Sequence, residues 1–557
     1  MSASHDSFDT LRPVILGPWD MRRITAMDNN SRRNFMSLAG TGLAGAILGT
    51  GAARAEGSEK PASSKELNVK TFGAVGDGTT LDSPAVDQAI AAAAAGGGGT
   101  VRFPAGTYSC YTIHLKSKVT LFLDQGAIIL AAETSNGDSN ARGYDLAEPN
   151  QWDQYQDYGH SHWRNSLIYG EGLENIGIVG PGMIWGKGLS KGYGPGPKAE
   201  NPGVGNKSIS LKNCRNVTLR DFSMLHGGHF AILATGVDNF TLDNLMIDTN
   251  RDGMDIDCCR NVRLSNCSIN SPWDDAIVLK SSFGLGYARS TEMVTITNCF
   301  VTGGYEEGSL LDATMKKLPA GRRPDRTGRI KFGTESNGGF KNITISNCVF
   351  DTCQGLALET VDGALLEDIT ITNITMRDII STPIFLRLGR RMRGPKDVPV
   401  GTLRRVIISN IVSSNSASRL ACIISGIPGH QIEDVKLSDI YLQHQGGGTA
   451  EEAAIEPPEE EEKYPEPNMF GPMPAHGFYI RHAKGVEMTN IEISYLREDA
   501  RPAFVLSDVQ DIDLLRIKTQ HAANAPTFAL NNVSDFHLYL SRPLEDTHLD
   551  HADQKKI

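Results

Sequence analysis

The sequence predicts an all-β solenoid: one long parallel β-helix closed at its N-terminal end by a short helix. Three observations point there. A four-residue unit of alternating apolar and polar residues recurs, as NVTL at Asn216, NFTL at Asn239, NVRL at Asn261, MVTI at Met293, NITI at Asn342, DITI at Asp368, RVII at Arg405, DVKL at Asp434, GVEM at Gly485 and DIDL at Asp511. Period-2 alternation marks half-buried strands, and the first copies start 23 and 22 residues apart, the length of one solenoid coil. Glycine numbers 58 of 557 residues and aromatics make up 7%, a composition for many short strands joined by tight turns. No single unit can bury its apolar face alone, so the coils must stack.

Taken in order, the chain opens with an address. Arg32 and Arg33 precede Asn34-Phe35-Met36 and an uncharged Gly/Ala/Leu run to Ala53, and Ala53-Arg54-Ala55 resembles a cleavage site. Residues 1–55 thus resemble a twin-arginine export signal with an N-terminal extension, and translation starting at Met21 or Met27 would shorten it. Export to the periplasm or medium is the expectation. A polar linker occupies 56–65. Next, Asp82 or Ser83 can cap a helix with Pro84 in its first turn, an alanine run propagates it, and the glycines from Gly96 end it. The β-helix is expected over 66–541, with insertions after Tyr144, Gly186, Tyr305, Leu388 and His444. Such insertions emerge on one side of a solenoid and wall a groove. The insertion at 446–475 reads as a lip, and 542–557 as an expendable polar tail.

The net charge of −11 argues against a nucleic-acid binder. Local basic clusters, Lys316 to Lys331 and Arg387 to Lys396, can still meet an anionic substrate or lie in solvated loops. No stretch beyond the signal is apolar enough to enter a membrane stably. Of nine cysteines, Cys214, Cys267, Cys299 and Cys348 each follow an asparagine at the same place in the repeat, which predicts an interior stack rather than disulfides. No structural metal and no cofactor are expected.

Chemistry concentrates between Asn250 and Lys280. Asp252, Asp255 and Asp257 form one acidic cluster and Asp274 and Asp275 a second; Asp252 and Asp274 lie 22 residues apart, so one coil brings their carboxylates side by side. Crowded carboxyls raise one another's pKa and so supply an acid beside a base. Asp255 and Asp257 can also serve only as turn supports.

Asn250-Arg251-Asp252-Gly253-Met254-Asp255 resembles the NTDGID motif, and Ser271-Pro272-Trp273-Asp274-Asp275 the GDD motif, of glycoside hydrolase family 28, the polygalacturonases and rhamnogalacturonases. The words FGAVGDGTTLDSPAVDQAI and VRFPAGTY resemble the entrance cap of the pectate-lyase superfamily of right-handed β-helices. The resemblance implies that Asp274 is the general acid, that Asp252 and Asp275 hold and deprotonate water, and that the anomeric carbon inverts. Candidate substrate contacts are Asn250, Asp255, Lys280, His229, Arg329, Lys331, Glu335, Glu359 and Arg387, with the rings of Trp152, Tyr155, Tyr158 and Trp163 available for sugar stacking.

Two departures bear on substrate. Arg326-Thr327-Gly328 stands where many polygalacturonases carry GHG. The family's RIK motif should fall within 355–360, where Ala357 and Glu359 replace its cations; the literal Arg329-Ile330-Lys331 one coil earlier is not counted as the same motif, but is free to grip substrate from another angle. Loss of the cations favours a neutral sugar such as rhamnose on the leaving-group side. The expectation is therefore an inverting hydrolase of α-galacturonosyl linkages in pectin, on rhamnogalacturonan or its oligosaccharides, endo- or exo-acting, working as a monomer. The alternatives are a polygalacturonase, a calcium-dependent lyase on the same fold, and a non-catalytic glycan-binding β-helix.

Overall fold

A computed structural model describes residues 66–134, 143–192, 200–319, 326–417 and 419–557. The export signal and the linker lie outside the described residues. One compact unit spans Ala62–Ile557.

Among the described residues 36 strands form a single sheet wound as a solenoid, the strands of successive coils pairing in parallel and the last two, at the C-terminal end, antiparallel. The repeats set the register: Val217 pairs with Phe240, Phe240 with Val262, and Val262 with Val294. Their apolar residues stack into one continuous core. The asparagine opening each early repeat takes the left-handed turn that its short polar side chain tolerates, with φ of 55° at Asn216, Asn239 and Asn261. Each amide donates to the asparagine one coil back, Asn261 to Asn239 at 2.7 Å and Asn239 to Asn216 at 2.8 Å. All nine cysteines are buried and free, and Cys299 lies between Cys267 and Cys348 as the repeat position requires.

The helix Ser83–Ala95 covers the first coil with Val86, Ala89, Ile90 and Ala93 turned into the core. Pro84 sits in its first turn and Gly96 ends it, but neither expected cap side chain caps it. The Asp82 carboxylate instead accepts from the amides of Val75 and Gly76, and the Ser83 hydroxyl from the amide of Tyr111, pinning the helix to the chain around it.

The other end corrects an expectation. Residues 542–557 are not a detachable tail: Thr547–Ala552 and Lys555–Lys556 pair antiparallel with Phe528–Tyr539. An unpaired last coil would present a row of open amides and carbonyls, and these strands cover it while Leu544, Leu549 and Ile557 pack on the core. Deleting 543–557 should lower stability by about 2–4 kcal/mol, roughly the burial of three apolar side chains, and promote edge-to-edge association. Thermal melts and light scattering of the truncated chain check this; an unchanged melt would restore the tail to expendability.

One face of the solenoid differs from the others. Arg215–Arg220, Asp238–Asp243 and Arg260–Ser265 alternate buried and exposed residues, as strands facing water do. Their neighbours Phe230–Thr235, Asp252–Asp257, Ile277–Ser281, Ile330–Ser336, Leu356–Thr360 and Ile384–Leu388 are buried throughout. Inserted loops cover this face. Trp163 packs on Phe230 and Leu233, and Phe470 and Met473 pack over Ala357, Phe385 and Ile423.

Candidate active site

The covered face carries the acids. Asp255 pairs in register with Val278, Val278 with Lys331 and Lys331 with Ala357, while Glu359 stands opposite Arg387, so five successive coils contribute to this face. Asp252 and Asp275 are nearly buried, whereas the Asp274 side chain keeps 27% of its surface exposed.

Each carboxyl has its own surroundings. Asp252 is held well above the usual carboxylate range by burial and by the charges of Asp274 and Asp255. Burial also raises Asp274, against the pull of Arg251, whose guanidinium donates to it at 2.5 Å. Asp275 accepts from Arg329 Nε at 2.9 Å. Two protonation-prone acids thus stand next to an ion-paired carboxylate. The Asp252 and Asp274 titrations are linked, so the proton they retain belongs to the pair.

The segment that replaces GHG fixes this turn through its backbone. The Gly328 amide donates to the Asp274 carbonyl at 2.8 Å and the Thr327 amide to Pro272. Gly328 has φ of 61°, and a Cβ there would lie 2.3 Å from the Gly303 amide nitrogen, so the position requires glycine.

The candidate contacts divide. His229 is buried beside the acids, its Nδ1 bonded to the Lys191 carbonyl at 2.9 Å and its Nε2 3.9 Å from Asp252, a span that water can bridge. Burial, with Arg251, His160 and Lys207 nearby, holds it neutral. Asn250 anchors Trp273 through its carbonyl, and its side-chain oxygen is buried without a partner. Asp255 is fully buried against His160 Nε2 at 2.8 Å, and Asp257 is bound by Ser282, so both hold the frame. Lys280 and Glu335 pair with each other at 2.9 Å. Glu335 also takes the Arg393 guanidinium and the Asp157 amide, tying the aromatic insertion to the sheet.

The cationic candidates separate as well. Arg329 and Lys331 stand beside the acids, on the coil that follows Asp275, with Lys331 Nζ 3.8 Å from it. The cation pair is therefore present at the site despite Ala357 and Glu359, because the strand Ile330–Ser336 pairs directly with Ile277–Ser281. Arg387 does not reach toward substrate. It donates to Ser425, Gly426 and the carbonyls of Glu459 and Glu460, clamping the lip. Trp163 is core, and Trp152 and Tyr155 pack on Phe283. Tyr158 lies 5.1 Å from the His229 ring, and Trp273, beside the acid pair, is exposed.

Sequence reasoning missed His160, Tyr464 and Glu466, which only loop folding delivers, and Lys207, which opens the strand one coil before Phe230. Lys207 is fully buried between Asn165 and Asn206, and burial lowers its pKa to about 7. Glu466, from the lip, accepts from Arg329 Nη2 at 2.6 Å and lies 3.4 Å from Lys331. Its only sequence signal was its place in an acidic insertion.

Glu359 supplies a pH prediction. Burial pushes its carboxyl up to about 8, against the pull of Lys331 and Arg329, and neither oxygen has a hydrogen-bond partner. The folded chain keeps this proton to about pH 8 where an ordinary glutamate loses it near 4.5. The resulting stability is fully present below that lower value and is lost as pH rises toward 8. Glu359→Gln should flatten the fall in stability between pH 5 and 8 by on the order of 1–3 kcal/mol. Denaturant melts at both ends of that window test it; parallel losses in the variant and the parent would refute it.

Comparison with known proteins agrees with this geometry. Residues 67–271 match a family model described as rhamnogalacturonase A/epimerase, pectate lyase-like, and residues 207–380 match the right-handed β-helix region. A probable polygalacturonase of Vitis vinifera is 23% identical over 400 residues, covering 67% of this chain and 73% of that protein. An exo-poly-alpha-D-galacturonosidase of Dickeya chrysanthemi is 34% identical over 138 residues, 23% of this chain and 20% of that protein. The solved family 28 exopolygalacturonase of Yersinia enterocolitica superposes with a TM-score of 0.57 at 18% identity, covering 81% of this chain and 78% of its own. An exopolygalacturonase from Thermotoga maritima superposes with a TM-score of 0.54 at 16% identity, covering 77% and 92%. Motifs, site and comparisons converge: the chain is a right-handed parallel β-helix, similar to the polygalacturonases of glycoside hydrolase family 28.

Proposed function

We propose that the chain is an inverting glycoside hydrolase that cleaves α-galacturonosyl linkages in the pectin backbone. The observation that carries this is the acid cluster itself: Asp252 and Asp274 hold a proton above the usual carboxylate range while Asp275 is ion-paired with Arg329. Glycosidic cleavage by inversion needs one carboxyl to protonate the leaving oxygen and another to take a proton from water. Asp274, the most exposed of the three, can be reprotonated from solvent after each turnover and acts as the acid. Asp252 and Asp275 hold and deprotonate the water. Arg251 orients Asp274, and Gly328 fixes its backbone.

Polygalacturonase-type relatives support action on pectic polysaccharide. Within pectin, rhamnogalacturonan or its oligosaccharides are the proposed substrates, supported by the description of the family model that spans the cap and the first acid motif. The same reading includes export through the twin-arginine-type signal and action as a monomer. No helix among the described residues is long and apolar enough to cross a membrane.

Product analysis by mass spectrometry and anomeric NMR, on rhamnogalacturonan and polygalacturonan oligosaccharides, tests the reading. Saturated products released first as the inverted anomer are expected, with no loss on adding a chelator. Unsaturated, chelator-sensitive products would make the protein a lyase.

A further inference from the structure

The lip places a carboxylate where a pectic substrate would bring its own. Glu466 bonds Arg329 at 2.6 Å and lies 3.4 Å from Lys331, and Arg329 in turn bonds the catalytic Asp275. Arg329 and Lys331 are both almost fully buried, so these charges act on one another with little screening. The charges close without substrate: two cations face the carboxylates of Asp275 and Glu466. The Glu466 carboxyl stays ionised, because Arg329 and Lys331 overcome the effect of its burial. Glu359, the other neighbour of Lys331, is pushed by burial toward its neutral form. Among the described residues, the Arg329–Lys331 pair is thus already matched when a uronate arrives.

Beyond Glu466 the surface suits an uncharged sugar. A cleft of about 560 Å³ is lined by Glu466, Gln354, Ile380, Leu420 and Thr327, whose amide is bonded to the acid turn. Hydroxyls find Thr327, Gln354 and the Glu466 carboxylate, and a methyl group finds the aliphatic wall. Arg419, the cation among these lining residues, is exposed and so screened by solvent.

Building on the hydrolase reading, we propose that Glu466 is a specificity-determining residue: its carboxylate occupies the Arg329–Lys331 pair in place of a substrate uronate, so the acid's side of the scissile bond accepts a neutral 6-deoxyhexose. A second carboxylate there would meet Glu466 and Asp275 as like charges, which costs far more in a buried site than at a surface.

The test uses the full mature chain, with Glu466→Gln and Glu466→Asp beside Glu462→Gln, an exposed lip residue that changes net charge equally. The lip is separately held by Arg387 and by Arg481, which donates to the carbonyls of Pro457 and Pro458, so these variants retain its position. Two quantities are read: the ratio of kcat/KM on rhamnogalacturonan oligosaccharides to that on oligogalacturonides, and oligogalacturonide affinity by calorimetry. Glu466→Gln should move the ratio toward oligogalacturonides and tighten their binding by about tenfold or more, an effect that shrinks as salt is raised. Glu466→Asp and Glu462→Gln should keep the parental preference. Cleavage with an unmoved ratio and unmoved affinity would overturn the role of Glu466 and leave the hydrolase reading standing. Tighter oligogalacturonide binding without cleavage of either glycan would do the reverse.

Discussion

Asp274→Asn should abolish turnover, lowering kcat by about 10²–10⁴-fold, the usual contribution of a positioned general acid, while the melt and the circular dichroism stay parental. Asparagine has the shape of the aspartate and can still accept from Arg251 through its oxygen, so the turn held by Gly328 and Thr327 is undisturbed. What it lacks is the proton. The substitution also removes one of the charges that raise Asp252. The pKa of Asp252 should therefore fall toward the ordinary carboxylate range, and any residual activity should shift to lower pH. A glycan with an activated leaving group, which needs little protonation, should be cleaved by the variant with a much smaller loss. Full activity of Asp274→Asn on unmodified substrate would take Asp274 out of the mechanism and return the binding-module alternative.

The second large effect is structural and catalytic together. Arg329→Met should cost about 3–5 kcal/mol, the range found when one partner of a buried ion pair is removed and the other is stranded, and should reduce kcat by two or more orders of magnitude. Arg329 is almost fully buried and holds Asp275 on one side and Glu466 on the other. Without it Asp275 loses the guanidinium that orients it and keeps only the more distant Lys331, and Glu466 loses its shortest tether to the sheet. The double variant Arg329→Met with Glu466→Gln should be less destabilised than the sum of the two single changes, since one stranded carboxylate is gone. Simple additivity would show that the lip and the acid pair are energetically separate. Protease sensitivity confined to 446–475 in Arg329→Met would report the loosened lip directly.

The repeat, the capping helix and the clustering of the acids on adjacent coils were legible in the sequence for a common reason: each follows from local pattern. Alternating Val, Leu and Ile at coil spacing determines a stacked solenoid, and two Asp motifs 22 residues apart must then stand on adjacent coils. The same holds for the cysteine stack. The reading failed where residues meet through loops of unequal length. Because Ile330–Ser336 pairs with Ile277–Ser281, Arg329 and Lys331 stand one coil after Asp275, although the sequence placed the expected cation pair a coil later. Arg387 looked like a substrate contact because nothing local shows that Glu459 and Glu460 offer it their carbonyls. The tail looked polar because only the edge of the last coil makes its alternating residues into a closing strand.

By itself, then, the sequence determined the coil, its register and the gathering of the acids on adjacent coils, since strand periodicity and side-chain chemistry are properties of neighbours along the chain. Tertiary structure alone decided the charge state and occupancy of the site. It brought His160, Lys207, Tyr464 and Glu466 to the covered face, buried Asp252, and set a carboxylate from residue 466 on a cation at residue 329. Burial and Coulombic contact depend on distance in space, and no spacing along the chain encodes the folding of an inserted loop.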